Sequence, residues 1–207
     1  MAISYPLTMP TVTGIATIEM RAINAVAYSR SPFTFSGQVH AYAGQMWQAD
    51  VSLPPMRRSD AEVWLSWLVS LKGQLGTFKL GDPLGCMPRG SARDADTILV
   101  DGAVSSGGSI GINSAPTSRT NYLLAGDYMQ IGAGVNQQLF KVLQNVSTDG
   151  SGTATVDVWP NVRSSIANAT SVKVQDTTGL FRLSSNEQSW SANQAIYGIT
   201  FGASEAL

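Results

Sequence analysis

Residues 46–53, MWQADVSL, constrain the fold more than any other stretch of the chain. Trp47, Ala49, Val51 and Leu53 fall on one side of an extended backbone and Gln48, Asp50 and Ser52 on the other, which is the period of a strand with one buried face. Pro54-Pro55 then removes two backbone donors and fixes φ, so the ladder stops there. A helical pattern follows at once in RRSDAEVWLSWLVSLKGQLG. Trp64, Trp67, Leu68 and Leu71 recur at i, i+3, i+4 and i+7 and form one apolar stripe, predicting a helix over 59–72. Ser59 is the expected cap, with Glu62 reaching back and Asp60 adding negative charge at the amino end. Lys72 lies in the last turn and Gly73 terminates it. The stripe is expected to pin this helix across the sheet that contains Trp47 and Val51.

Upstream, GIATIEMRAINAVAYS and SPFTFSGQVHAYA carry short alternations rich in β-branched and aromatic residues, predicting strands near 13–20, 22–28 and 32–42. Thr77-Phe78-Lys79-Leu80 re-enters β, and Gly81-Asp82-Pro83 turns it. Residues 81–118 are rich in Gly, Ser, Pro and Asp, with a strand expected over 97–100 and a glycine-serine loop over 103–111. NYLLAGDYMQIG and LFKVLQNVSTDGSGTATVDVWP predict two further β regions, the second divided by the turn Asp149-Gly150-Ser151-Gly152. SVKVQD reads as another short strand. In the tail, Tyr197, Ile199 and Phe201 alternate with Gly198 and Thr200, and this last strand is expected to return to the first sheet. The fold expected is therefore mainly β: an antiparallel sandwich or split barrel from 1–82 and 177–207 with one packed helix. A small β domain, 83–176, is inserted between the two parts.

Composition narrows the chemistry. One histidine, His40, and one cysteine, Cys86, leave few means of activating water or a nucleophile, and no metal-ligand spacing surrounds either. Charged residues make up 13%, against roughly 25% in ordinary soluble domains, and 13 basic side chains nearly balance 14 acidic ones. No basic stripe is available to displace phosphate counterions, which argues against nucleic acid as a partner. A weakly charged exterior suits a subunit that buries much of its surface against other subunits. The amino-terminal Met-Ala-Ile-Ser-Tyr-Pro has neither a basic nor an apolar signal region, and no run of about eighteen apolar residues occurs. A chain made in the cytoplasm, with no membrane insertion, is expected.

Candidate sites are correspondingly sparse. His40 has no patterned acid or nucleophile beside it and no G-x-S-x-G. Residues 107–111 are glycine-rich but lack the lysine and hydroxyl ending of a phosphate loop. Arg93, Asp94 and Asp96 read as a solvated connection. Asp50, Asp82, Asp94, Asp96, Asp101, Asp127 and Asp157 supply carboxylates, but their sequence spacing defines no paired acid and base. No catalytic, metal or cofactor residue is expected. Tyr122, Tyr128, Trp159 and Trp190 are the candidate surface contacts, as sugar-stacking rings of a carbohydrate-binding module, with core or subunit-contact roles the favoured alternative for each.

Three blocks taken together resemble a family of tailed-bacteriophage distal tail and tail-tip structural proteins. They are QMWQADVSLPPMRRSDAEVWLSWLVSLKGQLGTFKLGDP, the central LLAGDYMQIG with LFKVLQNVSTDGSGTATVDVWPNVR, and the terminal FRLSSNEQSWSANQAIYGITFGASEAL. The resemblance implies a virion subunit at the distal end of a long phage tail, synthesised in the cytoplasm of the bacterial host. It implies a homo-oligomer, a sixfold ring joining the tail tube to the tip or baseplate, whose partners are its own copies, the tube protein and the hub or baseplate proteins. Host-surface carbohydrate is a further candidate partner for the inserted domain. On this sequence the ring domain is framed by Trp47, Val51, Trp64, Trp67, Leu68 and Leu71, with Tyr197, Ile199 and Phe201 from the returning strand.

Overall fold

The structure, a computed structural model, describes residues 3–193 and 196–206. The first strands are β1 (Thr17–Arg30), β2 (Gly37–Ser52) and β3 (Met56–Arg57), followed by the helix α1 (Arg58–Ser70) and β4 (Thr77–Leu80). Then come β5 (Leu99–Val100), β6 (Gly107–Asn113), β7 (Tyr128–Ile131), β8 (Gln138–Val142), β9 (Ala154–Val162) and β10 (Val172–Lys173). The chain ends with β11 (Gly179–Leu183), β12 (Trp190–Asn193) and β13 (Ile196–Glu205).

These strands form two antiparallel sheets. The first runs β1-β2-β13-β11-β4, with β12 and β3 added on β13. The second runs β10-β7-β8-β9-β6-β5 and nearly closes on itself, because Leu99 of β5 bridges Ser171 just before β10. The protein is thus mainly β, with one α-helix and a barrel-like second sheet. The chain leaves the first sheet at Gly81 and returns at Thr177, and these two residues touch. A Cβ on Gly81 would stand 2.1 Å from the Thr177 carbonyl oxygen.

The first core lies between α1 and its sheet. Trp64, Trp67, Leu68 and Leu71 all face inward and are buried, alongside Trp47, Val51, Phe78, Phe181, Ile199 and Phe201, with Tyr197 half-buried at the margin. Their rings meet edge to face: Trp64 and Trp67 at 5.7 Å, Trp67 and Phe78 at 5.1 Å, Phe78 and Phe201 at 6.1 Å. That geometry sets ring edges against ring faces and holds the helix in one orientation across the sheet. The register explains the burial, since Phe201 lies opposite Val51 and Ala203 opposite Ala49.

Several local expectations are corrected. The helix begins at Arg58, directly from β3, so Ser59 already lies within its first turn and caps nothing. Its hydroxyl turns to Asp60, and Glu62 pairs with Arg58 at 3.2 Å instead of reaching back. The helix ends at Ser70 with Leu71 as its cap, so Lys72 lies beyond the last turn and not in it; Lys72 (φ 52°) and Gly73 (φ 67°) are both left-handed, and Gly73 ends the helical run as expected. The short strands expected between 13 and 53 are two long ones. Gly44 lies in an irregularity of the ladder, where the pairing jumps from Asn24/Gln45 to Val26/Ala41, so β2 bends there without ending. Part of the expected glycine-serine loop is strand β6. Its Ile110 and Ile112 point into the barrel core, and Gly111 lets Asp101 approach to 3.0 Å of where a Cβ would stand.

Candidate functional site, an assembly surface

The feature that stands apart from both cores is the hairpin of β1 and β2. At its root Ile18, Met20 and Ala22 oppose Val51, Ala49 and Trp47, the inward face of the first sheet. Beyond Asn24 and Gln45 the two strands continue for about 20 Å, at about 3.4 Å per residue, as an arm attached to nothing else among the described residues. The pairing keeps Val26, Tyr28 and Val39 in the same alternation as Met20 and Trp47. Past the polar pair Asn24 and Gln45, which lies on that same face, the side that is core at the root becomes apolar again in solvent, with Val26 54%, Tyr28 63% and Val39 68% exposed. Tyr28 lies across Gly37, where a Cβ would sit 2.6 Å from the ring. On the opposite face, His40 and Tyr42 stack edge to face at 4.6 Å.

The tip is built by its own polar groups. The Ser31 hydroxyl accepts from the amides of Phe33 and Thr34, and the Ser31 amide donates to the Ser36 carbonyl. Phe35 takes a left-handed φ of 58° and packs under the Arg30 guanidinium, 4.7 Å from its ring centre. This leaves Phe33 91% and Phe35 65% exposed. Within residues 22–44, Arg30 is the only Lys, Arg, Asp or Glu, and His40 the only histidine.

Edges matter as much as faces. The outer edge of β4 is covered by Leu7, which exchanges backbone bonds with Thr77 and Lys79. The β5 and β10 edges meet across the barrel seam, with Val100 donating to Thr170 and Val172 to Ile98. β1, by contrast, pairs only with β2 among the described residues. A long edge strand with no charge or proline over residues 22–29 is a template for another strand. A two-stranded ribbon is also marginal alone in water.

The root of the arm is clamped between the two sheets. Trp159 Nε1 donates to Asn24 Oδ1 at 2.8 Å, and the Asn161 amide donates to Gln45 Oε1 at 2.6 Å. Arg163 donates to the Gln45 carbonyl and makes a two-pronged pair with Glu205, at 2.7 and 2.5 Å. Glu205 also accepts from the Trp47 amide, while Trp47 Nε1 donates to the Leu139 carbonyl of the barrel. Side chains of both sheets thus tie down the base of the arm.

The four aromatic residues named as surface contacts separate. Tyr122 is fully buried in the barrel, its hydroxyl donating to Asp96 Oδ2 at 2.9 Å, and burial followed by the Asp96 carboxylate pushes its pKa well up. Tyr128 is buried against Trp47 with Lys141 Nζ 4.1 Å above its ring. Burial, and then Asp82, push its pKa up to about 12. Both are corrected from surface to core: the Tyr122 hydroxyl finds Asp96 inside the barrel, and the Tyr128 ring is covered by Trp47 and Lys141. Trp159 is half-buried at the arm root, and Trp190 is 48% exposed. Arg93, Asp94 and Asp96 are not a free solvated run either. Asp94 Oδ1 accepts from the Val174 and Gln175 amides, and Asp96 Oδ2 from the Arg93 amide, tying this crossover to the end of the barrel.

The described residues contain no group of three or more His, Cys, Asp or Glu side chains placed to hold a metal, and no helix long and apolar enough to cross a membrane. The alternation over 22–28 and 32–42 predicts strands on the arm but not that they project. The signal available was the nearly uncharged stretch 22–44, too long and too apolar to be an ordinary exposed hairpin. Neither a scan against protein-family models nor a search of curated proteins returns a match for the chain.

Proposed function

We propose that this protein is a structural subunit of a phage tail tip that closes into a ring and joins the tail tube to the tip or baseplate. The observation that carries the reading is the β1–β2 arm, whose apolar face and free strand edge have nothing to cover them among the described residues. Each subunit offers one arm and one receiving surface, and such a heterologous contact repeated around an axis saturates itself when it closes. An arm about 20 Å long and about 10 Å wide, packed on one face and one edge, removes on the order of 400 Å² per partner, about half of a standard interface, so it supplies a large part of the contact between neighbours. The work is assembly, not turnover. The expected partners are further copies, the tube protein and the hub or baseplate proteins, and the expected place is the distal end of the virion. The resemblance of the three sequence blocks sets the expected symmetry at six.

This reading stands ahead of a carbohydrate-binding module, since two of the four rings considered for sugar stacking lie in the interior. Electron microscopy of the purified protein mixed with preformed tail tubes tests it. Annular particles with an open centre, seated on tube ends, are the expected result. Isolated globular particles that never decorate tube ends contradict it.

A further inference from the structure

The tip of the arm and a cleft at its root sit at opposite ends of one hairpin. The cleft, about 580 Å³, is bounded by Ser52, Pro55, Ser189, Trp190, Ser191 and Thr200, and no ionisable side chain lines it. Ser52 is the last residue of β2 and Gly37, beside the tip, is the first. Their partners on β1, Thr17 and Arg30, are thirteen residue steps apart, which puts the two ends on the order of 40 Å apart along the hairpin, at about 3.4 Å per step. The tip therefore does not reach the cleft of its own chain, and only another copy can bring the two together.

We propose that in the assembled protein Phe33 and Phe35 of one copy seat in the Trp190 cleft of the next. This rests on the ring reading and names the receiving surface within it. The two surfaces match in chemistry. The tip, Ser31 to Ser36, presents two phenyl rings and short hydroxyls. The cleft presents one indole, 48% exposed, with hydroxyls on its rim and the buried Leu53 and Ile199 at its floor. Neither side must strip water from a charge to meet the other, apart from Arg30, whose guanidinium is already placed on Phe35. Aromatic side chains packed in a desolvated pocket are the usual centres of binding energy in an interface. The arrangement is also directional: a plug at one end and a socket at the other make a head-to-tail contact that propagates around a closed ring.

Cross-linking tests the seating and light scattering tests the ring, so the two claims fail separately. In a Cys86→Ser background, Phe33→Cys combined with Ser191→Cys is oxidised and run on a denaturing gel, with each single cysteine variant as control. The expected result is a covalent ladder rising to the full native multiple, seen only with the pair. Trp190→Ala, a change at an open position, is expected to weaken association at least tenfold with an unchanged circular dichroism spectrum. A wild-type protein of discrete multimeric mass, with no ladder from the pair and no effect of Trp190→Ala, overturns the seating and leaves the ring standing; the cleft then faces a different partner. A wild type that stays monomeric at high concentration overturns both.

Discussion

Arg163 and Glu205 form the one two-pronged ion pair between the two sheets among the described residues, with side chains only 16% and 4% exposed. Glu205 ends β13 of the first sheet, and Arg163 follows β9 of the barrel. The same two side chains hold the arm, through the Gln45 carbonyl and the Trp47 amide. The pair therefore fixes the barrel, the first sheet and the arm root at one point.

Removing one partner leaves the other charge buried. Glu205→Ala is expected to cost about 3–5 kcal/mol, and the double change Arg163→Met/Glu205→Leu distinctly less, because no uncompensated charge remains. Urea unfolding midpoints of the three proteins check this. Equal loss in the single and double variants contradicts it.

Trp64 and Trp67 are neighbours on one helix face but differ in one atom's surroundings. Trp64 Nε1 donates to Thr13 Oγ1 at 2.9 Å, whereas the buried Nε1 of Trp67 has no partner among the described residues. Both lose similar volume on replacement by Phe. Trp64→Phe is expected to cost about 1 kcal/mol more than Trp67→Phe, the net worth of one hydrogen bond. Thermal or urea unfolding of the two variants side by side gives the difference, and a costlier Trp67→Phe contradicts the assignment.

Much of the first sheet and its helix was legible because their cues are local. The alternation of Trp47, Ala49, Val51 and Leu53 and the stripe of Trp64, Trp67, Leu68 and Leu71 each lie on one element, and their burial follows from period alone. What was not legible depended on distant partners. Residues 107–111 look like a loop until β9 supplies the ladder that makes a strand of them. Tyr122 and Tyr128 look like surface rings until Asp96, Trp47 and Lys141 arrive from elsewhere to receive them. The arm was half legible: its strands show in the pattern, but the length of its projection depends on where the barrel ends, and no short stretch of sequence encodes that.

The contact between Gly81 and Thr177 makes a sharp prediction at the crossing between the sheets. Gly81→Ala places a methyl 2.1 Å from a backbone oxygen and forces the entering and returning chains apart. A loss of about 1–3 kcal/mol is expected. Gly150→Ala, where a Cβ meets nothing within 4 Å, is the matched control and is expected to be nearly neutral. Chemical denaturation of both variants distinguishes a packed crossing from a loose one.

The buried phenols impose a pH dependence at the alkaline end. In the unfolded chain a tyrosine ionises near 10, whereas burial, and then Asp82, hold Tyr128 neutral up to about 12 in the fold. Tyr122 is pushed the same way by burial and by Asp96. The folded pKa is the higher one, so the contribution is complete below about 10 and declines as pH rises from about 10 towards 12. Stability measured across that window is expected to fall, and to fall less steeply in Tyr128→Phe. A flat profile in the wild type contradicts the burial of these hydroxyls.

The central claim is that the β1–β2 arm drives self-assembly, and native mass tests it most directly. Light scattering on a sizing column, over a concentration series, is made on the wild type and on a variant with Val26, Tyr28 and Val39 each changed to Lys, positions already open to solvent. The account predicts a discrete multiple near six subunits for the wild type, and a folded monomer for the variant. A wild type that remains monomeric throughout, or a variant that keeps the wild-type multiple, contradicts it.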